Sequence, residues 1–179
     1  NDPEQSTIVA SEANTSVQLI HFDAAGNQIG TTTEILPNPG SFVTIHHGDT
    51  QNMYSSTFVN ATKPVVVYSA TAVNCETDIS TVLPIGGCSG CKSIITRKFI
   101  SYNNTDLPYF GYTILESATE PVFLNGVNLE SLTAPRVPIG STGFYMLRFT
   151  DVNIGNPAVI NITSNARLTT SIIQQGEGF

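Results

Sequence analysis

The chain has 179 residues, enough for one ordinary domain or two small ones, and 40% of them are hydrophobic, enough to fill a core. Only 12% are charged, and seven Lys plus Arg against a net charge of -7 exclude the neutralisation of a phosphate run and disfavour an anionic membrane surface. The longest apolar run is Pro64 to Val67, so no segment makes an apolar helix that spans a bilayer, and the surface is left to Thr, Ser, Asn and Gln, as on many extracellular β-proteins.

Read in chain order, the sequence predicts strands nearly everywhere. NDPEQSTIV has neither a basic nor an apolar leader region and reads as a mature or excised start; together with the abrupt GEGF end it suggests a piece of a longer protein. Thr15 to Phe22 (TSVQLIHF) alternates, with Val17, Leu19 and His21 on one face and Gln18, Ile20 and Phe22 on the other. DAAGNQ (23–28) is a turn, and IGTTTEIL returns from it to complete a hairpin. Pro37, Pro39 and Gly40 break the chain before SFVTIH (41–46). PVVVYSA (64–70) is apolar enough to predict burial on both faces. TDISTVLP and Asn128 to Leu132 are each compatible with a helical turn, and GSTG (140–143) with a turn before a strand. No ten-residue window has a 3.6 period.

An internal repeat emerges when the halves are aligned. SEANTSVQL (11–19) matches ESATEPVFL (116–124), SFVTIHHGD (41–49) matches GFYMLRFTD (143–151), and NATKPVVVYSA (60–70) matches TSNARLTTSII (163–173), at offsets of 105, 102 and 103. The expected fold is therefore all-β, an antiparallel β-sandwich architecture built from two similar β-units. The units are 1–72 and 112–179, and residues 73–111 form a long connection pinned by a disulfide.

That connection, CETDISTVLPIGGCSGC at its centre, holds every cysteine: Cys75, Cys88 and Cys91. A zinc site needs four ligands, and only one C-x-x-C is present, with His21, His46 and His47 all in the first unit. A redox C-x-x-C needs a following helix, whereas KSIITRKF is strand-like. A disulfide needs only proximity and an oxidising compartment, and Cys75 bridged to Cys88 or to Cys91 would close a loop worth roughly 3 kcal/mol; a Cys88–Cys91 bridge stays open as well. One thiol is left over in every pairing.

Other residue clusters carry little chemistry. His46 and His47 are adjacent on a strand and so point to opposite faces. No G-x-S-x-G occurs, Glu116 and Glu120 do not make a glycosidase pair, and DAAGNQ, DTQN and TDVN supply oxygens without the spacing of a calcium loop. Sequons at Asn14, Asn60, Asn103 and Asn161 are about as many as the composition yields by chance. The aromatics Tyr102, Tyr109, Phe110 and Tyr112, interleaved with Asn, Asp, Pro and Gly, are candidates for a loop that contacts sugar or protein; the alternative is a strand pair packing them inward.

One order of segments carries a resemblance: the apolar strand running into a Cys segment (PVVVYSATAVNCETDISTVLP), a Gly/Ser loop, the strand KFISY, the V-x-x-N-G element in PVFLNGV, a Pro-containing hairpin, and the closing QQGEGF. It is similar to the IgGFc-binding protein N-terminal domain family of large secreted mucin-like animal proteins and bacterial surface proteins. The similarity covers 55–179 and the first unit more loosely. In that family a second proline and Trp-Gly follow the Leu-Pro; here Leu83-Pro84 leads into Ile85-Gly86-Gly87, and the chain has no Trp. The resemblance implies an all-β module of a multidomain extracellular protein, bacterial adhesins included, and assigns no binding residue. The expected function is thus a non-catalytic module at the cell surface or in a secreted protein. It would act in adhesion or assembly on a protein or glycan partner, or by self-association into arrays or fibres through exposed strand edges. The alternative is a carbohydrate-binding module with an aromatic loop, assisted by calcium. No other cofactor, no nucleic acid and no membrane insertion are expected.

Overall fold

A computed structural model describes residues 4–47, 54–73, 76–85, 89–101 and 103–174, without the side chains of 71–73, 76–78 and 174. The chain is all-β, every strand pairing is antiparallel, and it divides into two compact units, Asn1–Leu83 and Pro84–Phe179.

Unit 1 begins with β1 (Glu4–Ala10), β2 (Thr15–Phe22), β3 (Gln28–Leu36) and β4 (Phe42–His47), followed by β5 (Ser56–Ala61), β6 (Val65–Val73) and β7 (Glu76–Thr81). They form a four-stranded sheet in the order β4-β1-β6-β7 and a three-stranded sheet β3-β2-β5. Period-2 alternation sends Ile8, Ala10 and Ile45 from the first sheet and Val17, Leu19 and Leu36 from the second into one cluster. The β2–β3 turn is held by Asp23, whose carboxylate accepts from the amides of Ala25 (2.9 Å) and Asn27 (2.8 Å), with Gly26 at φ 83°. Alternation places Phe22 on the face opposite His21, yet both are buried. The β2–β3 register shifts between His21 and Phe22, and this irregularity turns two successive side chains inward. β6 departs from expectation as well. Val65 and Val67 pack inward, but Val66 and Tyr68 are exposed on the outer face. An antiparallel sheet needs only one covered face, so the apolar run marks a half-buried strand.

Unit 2 contains β8 (Cys91–Arg97), β9 (Tyr109–Leu115), β10 (Val122–Leu124), β11 (Val127–Asn128), a 3-10 turn (Leu129–Ser131), β12 (Val137–Pro138), β13 (Tyr145–Thr150), the one-turn helix α1 (Asp151–Ile154) and the 16-residue β14 (Val159–Gln174). β14 serves two ladders in succession. Residues 159–163 pair with β8 and 162–164 with β10, and residues 168–174 pair with β9, which in turn pairs with β13. The β8 register breaks between Thr163 and Leu168, at the corner. Both halves deliver side chains to one core, Ile160 and Ile162 from the first and Leu168 from the second, beside Leu115, Val122, Leu124, Leu147 and Phe149.

The pairings of the two units correspond residue by residue. Gln5 opposes Ala70 in unit 1; adding 105 and 103, the offsets of the sequence repeat, gives Phe110 and Ile173, which oppose each other in unit 2. The same shifts carry Val17–Ala61 onto Val122–Ser164 and Leu19–Val59 onto Leu124–Ile162. The β4 and β13 ladders differ by two residues, which leaves the inward set inward.

The segment 73–111, expected as a connection, contributes β7 to unit 1, and β8 and the start of β9 to unit 2. Within it, ETDIST is a strand and not a helical turn, whereas Asn128 to Leu132 does form a 3-10 turn capped by the Asn128 side chain. α1 went unread in the sequence although Thr150 and Asn153 form a capping box at its start. The Asn-Gly of V-x-x-N-G makes the tight β10–β11 turn, with Asn125 at φ 48° and Gly126 at φ 85°. The Asn125 side chain also docks on β14, donating to Val159 O (2.9 Å) and accepting from Asn161 N (3.0 Å).

Beyond that turn, Arg136 ties loops together. Its side chain is 7% exposed; Nε and an Nη hydrogen-bond both oxygens of Glu130 (3.0 and 2.7 Å), and the Nη groups donate to Ser117 O (2.8 Å) and Glu120 O (2.9 Å). The bonds from Arg136 hold the Glu130 carboxyl below its usual range. Replacing Arg136 by Leu should cost about 3 kcal/mol of stability, because a mostly buried carboxylate and two carbonyls lose their donors. Lys should rescue only part of that, lacking the planar fork. A depressed carboxyl stabilises above its unfolded value and loses that contribution as pH falls through the folded one. In urea titrations the wild type should therefore lose more stability than the Leu variant between pH 5 and pH 3; equal losses would remove Arg136 from this role.

Candidate functional site

The structure separates the sequence-predicted candidates. Tyr109 is a core residue, 1% exposed, with Oη donating to Gly155 O (3.1 Å) and its ring tilted against Phe99. It lies on a strand and not in a ligand loop, and burial raises its pKa, with Asp151 adding to the shift. Phe110 and Tyr112 alternate to the opposite face of β9, half-buried, where they oppose Ile173 and Ser171 of β14 and Thr150 and Arg148 of β13. Tyr102 lies outside the described residues. Gly111, between the two aromatics, faces inward: a Cβ there would stand 2.4 Å from Phe149 Cζ, so the glycine that made this segment look like a loop is a seat for a core ring.

Cys91 is an exposed free thiol at the start of β8, its Sγ donating to Ser93 O (3.1 Å). The two pairings that would use Cys91 are therefore not formed here; Cys75 and Cys88 lie outside the described residues. Among the described residues no three His, Cys, Asp or Glu side chains converge as a metal site. Of the oxygen-bearing segments, Asp23 is occupied by its own turn and Thr150–Asn153 by the cap of α1, whereas DTQN lies mostly outside the described residues.

The densest polar chemistry sits at one end of the unit 1 core. There β1 places Glu4 and Ser6 on the inward face ahead of Ile8, opposite His47 of β4 and Ser69 of β6. His47 Nε2 lies 3.1 Å from Ser6 Oγ, and Ser69 Oγ donates to Glu4 Oε1 (2.5 Å). From the other sheet, His21 is buried, stacked on Tyr54 at a ring separation of 3.8 Å, with Nδ1 3.0 Å from Thr57 Oγ1. Burial holds both imidazoles below their usual pKa; His47 lowers His21 further, while Glu4 raises and His46 lowers His47. His46 opposes Gln5 on the outward face, so the adjacent histidines do face opposite ways. Ser6 and His47 are at hydrogen-bond distance, but Glu4, which would orient the imidazole of a triad, is engaged by Ser69 instead. Sequence reasoning missed Glu4, Ser6, Thr57 and Ser69; their one signal was polar residues at inward positions of alternating strands.

In unit 2, a cleft of about 50 Å³ lined by Gly90, Leu115, Phe144 and Leu168 is far smaller than the roughly 300 Å³ of small-molecule sites. No family model, curated protein or solved structure matches the chain.

Two imidazoles, His21 buried and His47 half-buried, have their pKa lowered by folding; they stabilise fully above the unfolded value near 6.5, and this contribution drains as pH falls below it, by at most about 1.4 kcal/mol per pH unit for each. His47→Gln can still meet Ser6 but cannot ionise. Chemical denaturation from pH 7.5 to 5 should show a stability decline in the wild type that is shallower in this variant; an unchanged slope would take His47 out of the acid response.

Proposed function

We propose that the chain is a non-catalytic, extracellular β-module of a larger surface or secreted protein, with two similar two-sheet sandwich units, that works through its outer surfaces in adhesion or assembly. The observation that carries this reading is the recurrence of one ladder, in matching register, in both units. Repeated layered units with outward-facing strands serve to present surface. The outer face of the four-stranded sheet supports it: Phe42 opposes Val9, Val9 opposes Val66, and Tyr68 follows, with Phe42, Val66 and Tyr68 all exposed. Among the described residues, the carboxylate beside His47, Glu4, is engaged by Ser69 and not by the imidazole. The resemblance of the Cys segment and the V-x-x-N-G turn to the IgGFc-binding protein N-terminal domain family fits the same reading, as does a Cys75–Cys88 bridge in an oxidising compartment. Immobilised chain should capture a surface protein or glycan from an extracellular extract and a glycan array; no capture by either would overturn the reading.

The alternative is a carbohydrate-binding module, with or without calcium, and the placement of Phe110 and Tyr112 on one half-buried face beside Arg148 favours it. On that reading Tyr112→Ala should abolish retention on the glycan that binds wild type, with the melting temperature shifting by only a few degrees. Tyr109→Phe should leave retention intact and cost about 1 kcal/mol through the lost bond to Gly155. Equal glycan retention by Tyr112→Ala and wild type would discard the sugar site.

A further inference from the structure

The two units differ most at one hairpin. In unit 2 the return strand β11 is two residues long, closed off by the 3-10 turn with buried Leu129 and by Arg136. In unit 1 the corresponding β3 runs for nine residues, is exposed over nearly its whole length, and among the described residues pairs with β2 alone. Its free edge can be derived. Thr62 N donates to Ser16 O and Ser55 N to Phe22 O, so the even residues of β2 turn their main chain to β5 and the odd ones to β3. Gly30, Thr32 and Glu34, opposite those odd residues, are the ones bonded to β2. The N–H and C=O groups of Thr31, Thr33 and Ile35 therefore point away from the sheet.

This edge is lightly guarded. Gln28–Leu36 contains no Lys, Arg or Pro; its one charge, Glu34, opposes inward-facing Val17, and its one irregularity lies at its start, opposite His21 and Phe22, whereas the edge strand β8 carries Lys92 and Arg97 and β7 carries Glu76 and Asp78. The sequence IGTTTEI is also nearly symmetric about Thr32. A two-fold axis there sets Thr31 against the partner copy's Thr33 and Ile29 against its Ile35, twice over, with all four strand residues exposed in one copy. Glu34 falls opposite Gly30, and the two Glu34 carboxylates stand about 13 Å apart along the strands, beyond the roughly 10 Å screening length at 0.1 M salt. The edge is thus complementary to itself in hydrogen bonding, apolar pairing and charge.

We infer that two copies of this chain associate through β3, antiparallel and centred on Thr32, extending each three-stranded sheet into one of six strands. The inference deepens the assembly reading above and rests on it for its biological meaning. The pairing is isologous, so it closes as a dimer. Sedimentation velocity on the full chain, in a series up to about 1 mM, should show a reversible monomer–dimer equilibrium. T31K/T33K, at exposed positions, puts Lys opposite Lys twice and should raise the dissociation constant about tenfold or more. T31E/T33K puts Glu opposite Lys twice and should keep the dimer, with far-UV dichroism unchanged in both. A monomeric wild type, a dimer indifferent to T31K/T33K, or loss of the dimer in both variants overturns the inference. Capture of a surface partner by the monomeric variant would show that failure here leaves the adhesion reading intact.

Discussion

Closure of two antiparallel ladders on a single apolar filling is the constraint on which each unit depends. In unit 1 the ladders come from separate sheets; in unit 2 they share β14, which leaves one and enters the other at residues 165–167. The unit 1 equivalent of that corner is Thr62, Lys63 and Pro64, where Pro64 ends what would otherwise be one long strand. In both cases about three residues pass the chain from one ladder to the next, too few to absorb an error. A slip of one position in either ladder would carry every inward side chain to solvent in both. This accounts for the preservation of register between the units even though few of the paired residues are identical.

The units then diverge at their rims. Unit 2 ends its hairpin early with an Asn-Gly turn that also bonds β14 sideways, buries Leu129 behind it and ties the following loops with a guanidinium that satisfies a carboxylate and two carbonyls. Among the described residues unit 1 shows no such closure at its equivalent edge, and one end of its core is lined by hydroxyls and imidazoles, with the exposed Glu4 carboxylate beyond them. Polar groups so placed are tolerated because each finds a partner across a strand pair; without those partners the desolvation cost would fall on the core itself.

What could be read in the sequence was whatever depends on short-range alternation. Val17, Leu19 and His21 share a buried face as their spacing requires, and the repeat offsets carry the strand pairings of unit 1 onto those of unit 2. What could not be read depends on contacts made elsewhere. Gly111 resembles a loop residue because its reason for being small, the Phe149 ring, lies 38 positions away. Phe22 points inward only because of an irregularity set by its neighbour strand. ETDIST carries charges that suit a solvated turn, and it becomes a strand because β6 offers an edge. The polar end of unit 1 was invisible for the same reason: Glu4, His47, Ser6 and Ser69 meet only through register.

The contrast between the units bears on what two matching ladders leave open. Two copies of one ladder have the same need for a filled interior, and the apolar positions that answer it recur in both. Nothing in that need fixes the rim, so the rim is where the copies are free to differ. One is closed, with a short hairpin, a satisfied guanidinium and buried Leu129; the other has a long, lightly guarded strand and imidazoles at one end of its core. A lightly guarded edge carries an aggregation risk that ordinary β-proteins suppress with charge or proline. Its nine residues are consistent with use, since one Lys substitution along β3 would remove the hazard without touching the core.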